Sequence, residues 1–135
     1  MIFRRTAIFR RIATNERGAA AVEFALVLPI LLLLVLGLIE FSRLYNIQIS
    51  LSNAAREGAR NMAIHDSQST AKAAAIAAAP SISPSVSGGQ ISITPAACAA
   101  NQAVTVTITY SVSLLTGYFG TTLPLTGKGV MLCGG

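Results

Sequence analysis

The sequence predicts an α+β protein: a long N-terminal transmembrane helix continues into an amphipathic helix, which packs with a second helix on a small antiparallel β-sheet. Three observations carry that expectation. An apolar run from Ala19 to Ile39 follows an arginine-rich stretch. Small and apolar residues between Ile47 and Met62 recur at helical spacing. Residues 103–113 alternate strictly between apolar and hydroxyl-bearing positions. A chain of 135 residues has room for one small domain and an anchor, not for two full domains.

As a helix, the 21 residues of the apolar run rise roughly 31 Å, close to the ~30 Å hydrocarbon core of a bilayer. Arg4, Arg5, Arg10, Arg11 and Arg17 precede the run and only Glu16 opposes them, so most of the net charge of +5 lies there. Positive charge flanking a span stays on the cytoplasmic side, which directs everything after residue 40 outward. A nucleic-acid binder spreads its basic residues over a folded face. Here the rest of the chain is nearly neutral, and no nucleic-acid partner is expected. A cleaved secretory signal would place a small-x-small site after the run. Glu40-Phe41-Ser42-Arg43 stands there instead, so the helix is expected to stay in the mature protein.

Within the run, Glu23 is the one charge and Pro29 the one proline, where a kink is expected. A carboxylate one turn into an apolar span costs a few kcal/mol unless it is neutral or paired. Two readings of Glu23 stay open: it snorkels to the cytoplasmic interface, or it awaits a positive partner within the membrane.

Beyond the run, Ile47, Leu51, Ala54, Ala55, Gly58 and Met62 form one helical face, small enough near 54–58 for close approach. One continuous helix is expected from about Ala19 to Ile64. Arg56, Glu57 and Arg60 lie off that face, with Glu57–Arg60 at pairing distance along a helix. A second helix is expected at about 68–79, capped by Ser67 or Ser69 and ended by Pro80, followed by a loop over 80–89. Strands are expected at 90–94, 103–113 and 123–132, in an antiparallel sheet whose apolar face the helices cover.

Pairing apolar residues with apolar ones sets Val106 opposite Leu125 and Ile108 opposite Leu123. The same register sets Cys98 opposite Cys133, so a disulfide is expected in an oxidising compartment, with free thiols as the alternative if 94–102 leaves the strand. The two cysteines and one distant histidine are too few to hold a metal ion. His65-Asp66-Ser67 are adjacent and cannot converge as a triad. No phosphate-binding glycine loop is present. No enzyme activity, cofactor or small-molecule substrate is expected.

Arg17-Gly18-Ala19-Ala20-Ala21-Val22-Glu23-Phe24 resembles the processing site of type IV-like prepilins. The wider block from Glu16 to Pro29, with Gly37-Leu38-Ile39-Glu40-Phe41-Ser42-Arg43 and Asn53-Ala54-Ala55-Arg56-Glu57-Gly58-Ala59-Arg60, resembles the TadE-like family, pseudopilins of tight-adherence (Flp) type IV pilus systems. That resemblance implies cleavage after Gly18 by a prepilin peptidase, leaving Ala19 as the new N-terminus. It makes Glu23 the fifth mature residue, which pairs with a neighbouring subunit's N-terminal amine, and Phe24 the sixth, where Flp-type pilins usually carry Tyr. The implied partners are the peptidase, other pilins or pseudopilins, the assembly platform and the membrane. The implied organisation is a basic cytoplasmic leader at 1–18, an anchor at 19–43, and a domain at 44–135 that is periplasmic or part of an extracellular pilus. The anchor would lie in a bacterial inner membrane. Two rival readings remain: an uncleaved, membrane-tethered binding or structural domain, and a major pilin, against which the expected strands argue.

Overall fold

The computed structural model describes residues 15–115, 117 and 120–134, with side chains described from Gly18 onward. Most of the basic leader expected at 1–18 lies outside the described residues. Two helices precede three strands: α1 (Asn15–His65), α2 (Gln68–Ala77), β1 (Ile91–Thr94), β2 (Ala103–Ser113) and β3 (Thr122–Leu132), with a short 3-10 turn at Gly88–Gln90. The strands form one antiparallel sheet in the order β1-β2-β3. The fold class is the α+β arrangement expected. Helix α1 starts four residues earlier than expected and contains Pro29 within its assigned span. The chain divides into two compact units, Met1–Ile39 and Glu40–Gly135.

In the first unit, every described side chain from Gly18 to Ile39 is exposed. They include Val22, Leu26, Ile30 and Leu34, which would be buried in a water-soluble core. This stretch belongs to a helix long and apolar enough to cross a membrane.

The second unit has its own core. The expected small-residue face of α1 is buried: Leu51, Ala54, Ala55 and Met62 are fully covered, with Ile47 packed at the margin, and Ala59, outside the expected face, is fully covered beside them. Ala71 and Ala75 of α2 join them, and β2 contributes Val104, Val106, Ile108, Tyr110 and Val112. Gly58 marks the junction of α1, α2 and β2: a Cβ there would stand 3.1 Å from Ala75 Cβ, 3.3 Å from the Ala71 carbonyl oxygen and 3.4 Å from Val106 Cγ1. The opposite face of the sheet carries Thr109, Thr126, Val130 and Leu132, all exposed.

The register of β2 on β3 differs from the one expected. Val106 faces Gly129 and Ile108 faces Gly127, four residues along from the apolar-on-apolar pairing. Helix α1 supplies the reason. A Cβ on Gly127 would land on the carbonyl of Leu51, and one on Gly129 on the carbonyl of Ala55. The backbone of α1 rests on β3 at these two residues, and only glycine leaves the room. Valine and isoleucine on β2 fill the space beside them. Burial of the whole helix face outweighs the pairwise side-chain matches that an isolated hairpin would make.

Cys98 and Cys133 are joined by a disulfide with Cα atoms 5.6 Å apart. They do not face each other across strands, because Cys133 continues β3 and donates its N–H to Gln102 O at 2.8 Å. Residues 95–102 leave the sheet, and two side chains at the α1–α2 corner hold them. Asp66 Oδ1 accepts the Cys98 N–H at 2.6 Å, and Gln68 Nε2 donates to Ala96 O at 2.9 Å. Tyr110 spans the other end of the core and donates its hydroxyl proton to Pro84 O at 2.7 Å.

Two local expectations are corrected. Ser67 occupies the N-cap of α2 but makes no side-chain capping bond; its hydroxyl lies 3.1 Å from that of Ser69. Glu57 and Arg60 are exposed and do not pair: the one ion pair among the described residues is Arg43–Glu40. Water solvates the two charges so well that holding long side chains together gains little.

Candidate functional site

Four of the residues expected to carry function lie near the start of α1. Gly18 and Ala19 are helical and exposed, and no other part of the described molecule stands within 4 Å of a Cβ placed on Gly18. Glu23 follows Ala19 by four residues, so the two lie on one face about 6 Å apart along the axis. Glu23 is exposed, and among the described residues no cation lies within ion-pair distance of it. Phe24 is exposed beside it. The segment therefore presents a carboxylate and an aromatic ring outward from an otherwise apolar stretch.

A second carboxylate on the same helix behaves differently. Glu40 is only 9% exposed although it directly follows the apolar run. Its Oε2 accepts the backbone N–H of Leu115 at 3.0 Å. Its Oε1 lies 3.6 Å from Arg43 Nη1 and has no hydrogen-bond partner of its own. The same Arg43 nitrogen donates to Ser113 O at 3.0 Å. Glu40 and Arg43, one turn apart, thus fasten the end of β2 and the start of the hairpin loop to the first turn of the second unit. Further along, Gln48 Nε2 donates to Thr126 O at 2.8 Å on β3.

In the sequence, Glu40 and Arg43 stand out as polar residues directly after the apolar run and as members of a TadE-like block. Their i, i+3 spacing signals a local pair. Nothing local signals that the loop 75 residues later supplies the hydrogen bond. Cys98 and Cys133 are brought together at the far end of the sheet, beside Met62 and Val104 rather than near Glu40.

His65 is exposed at the end of α1, with Nδ1 3.2 Å from Asn61 O. Among the described residues, no three His, Cys, Asp or Glu side chains come together as a metal site would require. The chemistry on offer at the helix start is charge pairing and apolar packing.

Comparisons with curated proteins and with solved structures give no match. A family model does: residues 18–60 match TadE-like protein, from Gly18 into the small-residue face of α1. The match covers the three sequence blocks from Gly18 onward and ends before α2, so the sheet lies outside it. Such proteins are pilus-associated and structural. Residues 18–60, which carry Glu23, Glu40 and Gly58, are therefore similar to TadE-like protein.

Proposed function

We propose that this chain is a minor pilin or pseudopilin that takes part in assembly of a tight-adherence (Flp) type IV pilus. In this reading a prepilin peptidase cuts after Gly18, the helix from Ala19 anchors the product in the inner membrane, and the 44–135 domain works outside the cytoplasm. The observation that carries the proposal is the TadE-like match beginning at Gly18, with Glu23 five residues on in an apolar, fully exposed helical stretch.

The physical logic is a charge made costly on purpose. Cleavage would create an α-amine at Ala19. A carboxylate at Glu23 inside an apolar span is expensive unless it is paired. A neighbouring subunit's amine satisfies it, and an incorrectly placed neighbour does not. Pilin partners, rather than the chain itself, then complete the site.

One structural observation favours the rival reading, an uncleaved membrane-tethered domain. Gly18 and Ala19 lie inside α1, whereas a peptidase works on an extended strand. Glycine lowers the cost of unwinding there, being about 1 kcal/mol less favourable than alanine in a helix.

Intact-mass measurement on protein from wild-type cells and from cells lacking the peptidase separates the two. The proposal expects loss of residues 1–18 only where the peptidase is present. A chain that still begins at Met1 in wild-type cells establishes the uncleaved reading.

A further inference from the structure

Glu40 holds a loop at a depth that the chain itself defines. It follows Ile39, the last residue of the apolar run, so their Cα atoms are about 3.8 Å apart. Glu40 Oε2 in turn accepts the Leu115 N–H at 3.0 Å. The start of the β2–β3 loop is therefore held beside Glu40, the first residue past the apolar run. This follows from connectivity and one hydrogen bond, whatever the tilt of the run.

What stands at this level is apolar and uncovered. Leu115 is 67% exposed, and Phe41 and Tyr45 are 69% and 61% exposed. The aromatic rings of Phe41 and Tyr45 stack on each other with centroids 6.4 Å apart. A single exposed leucine on a protein surface is ordinary. Tyrosine is enriched at the headgroup level of a bilayer, and phenylalanine and leucine on the apolar faces of helices lying in that interface. Here Phe41 and Tyr45 follow the apolar run within two turns, and Leu115 is bonded to Glu40. The far end of the sheet, by contrast, is closed by the disulfide and by the bonds of Asp66 and Gln68.

We infer that Phe41, Tyr45 and Leu115 form an interfacial collar that seats the second unit on the lipid surface, with Glu40 as the positioning residue that holds the loop there. The occupant is the headgroup–acyl boundary of the bilayer. This rests on the proposed anchoring of the apolar run, and it adds a second, reversible contact beyond the span. Burial of Leu115 and part of each ring would favour the seated state in proportion to the apolar surface covered.

The chain has no tryptophan, so one introduced residue is a unique fluorophore. Full-length protein would be reconstituted, at a high lipid-to-protein ratio, in phosphatidylcholine vesicles. One set is plain; the other carries bromine on the acyl chain near the headgroup. Leu115→Trp and Phe41→Trp are each expected to lose emission to brominated lipid and to shift to shorter wavelength. Val130→Trp, on the exposed face of the sheet, controls for the affinity of tryptophan itself and is expected to be quenched by aqueous iodide only. Leu33→Trp reports the span.

If Leu33→Trp is quenched by bromine while Leu115→Trp and Phe41→Trp respond only to iodide, the collar is refuted and the anchor stands. Shielding of both from bromine and iodide alike means a protein neighbour covers the patch, which also overturns the proposal. If Leu33→Trp escapes bromine, the anchoring reading fails and takes the collar with it. Adding Glu40→Ala to Leu115→Trp is expected to weaken the lipid quenching while leaving Phe41→Trp unchanged, as a positioning role requires.

Discussion

Gly129 lies directly beneath the carbonyl of Ala55, and a single added methyl group at that strand position would overlap the helix backbone. Gly127 meets Leu51 in the same way four residues earlier on α1. Two glycines spaced by two on β3 thus receive two residues spaced by four on α1. That contact sets both the helix-to-sheet distance and the register of the hairpin.

Gly129→Ala and Gly127→Ala are therefore expected to destabilise the second unit by about 1–3 kcal/mol or more, since backbone cannot move aside as a flexible side chain can. Gly88→Ala, where a Cβ meets nothing within 4 Å, is expected to cost far less. Thermal unfolding of the full chain in detergent, followed by circular dichroism, compares the three. Equal melting temperatures for Gly129→Ala and Gly88→Ala would contradict the close contact.

Glu40→Ala leaves the Leu115 N–H without its acceptor and Arg43 without its ion-pair partner, though still bonded to Ser113 O. The expected cost is about 1–3 kcal/mol. Glu40→Gln keeps an acceptor oxygen at the same distance and is expected to cost less. Amide hydrogen exchange at Leu115 reads the bond directly: it should accelerate in Glu40→Ala much more than in Glu40→Gln. Unchanged exchange in both would show that the loop is held by something else.

The disulfide closes a sequence separation of 35 residues. Chain-entropy arguments put its contribution at about 3–4 kcal/mol for a loop of that size. Cys98→Ser with Cys133→Ser should lower the melting temperature while preserving the strands. Loss of the Asp66 bond to the Cys98 N–H should act in the same direction, so Asp66→Ala is expected to raise the rate at which a reductant opens the bond. Alkylation followed by mass measurement gives both the redox state and the rate.

Glu23→Ala tests the docking role proposed for the helix start. Removing the carboxylate makes the apolar run easier to insert, so membrane localisation and processing after Gly18 are expected to persist. Recovery with the pilus fraction should fall roughly tenfold or more, the size of a lost coupling above about 1.4 kcal/mol. Normal incorporation of Glu23→Ala would remove the docking role and leave Glu23 as a residue that merely reaches the interface.

Local pattern was enough for the elements. The alternation of Val104 to Val112 located β2 at its observed ends, and the spacing of Ile47 to Met62 identified the buried face of α1. Both patterns are periodic properties of a short stretch of chain, and burial acts on them directly. The TadE-like segment was legible for the same reason, since its blocks are contiguous. The register of β3 was not. Gly127 and Gly129 are silent in a hydrophobicity pattern, and their use depends on a helix more than 70 residues away in sequence.

The sequence by itself determined that an apolar helix stands at the start, that a small-residue face continues it, and that Glu23 sits among residues with no charged company. These depend on composition and period alone. Only the tertiary structure decided that Glu40 is a buried clamp while Glu23 is exposed, that glycines rather than leucines face Val106 and Ile108, and that Cys98 reaches Cys133 by way of Asp66. Each of those depends on which distant backbone groups come within hydrogen-bonding or contact distance, and chain spacing does not encode that until the helix has settled on the sheet.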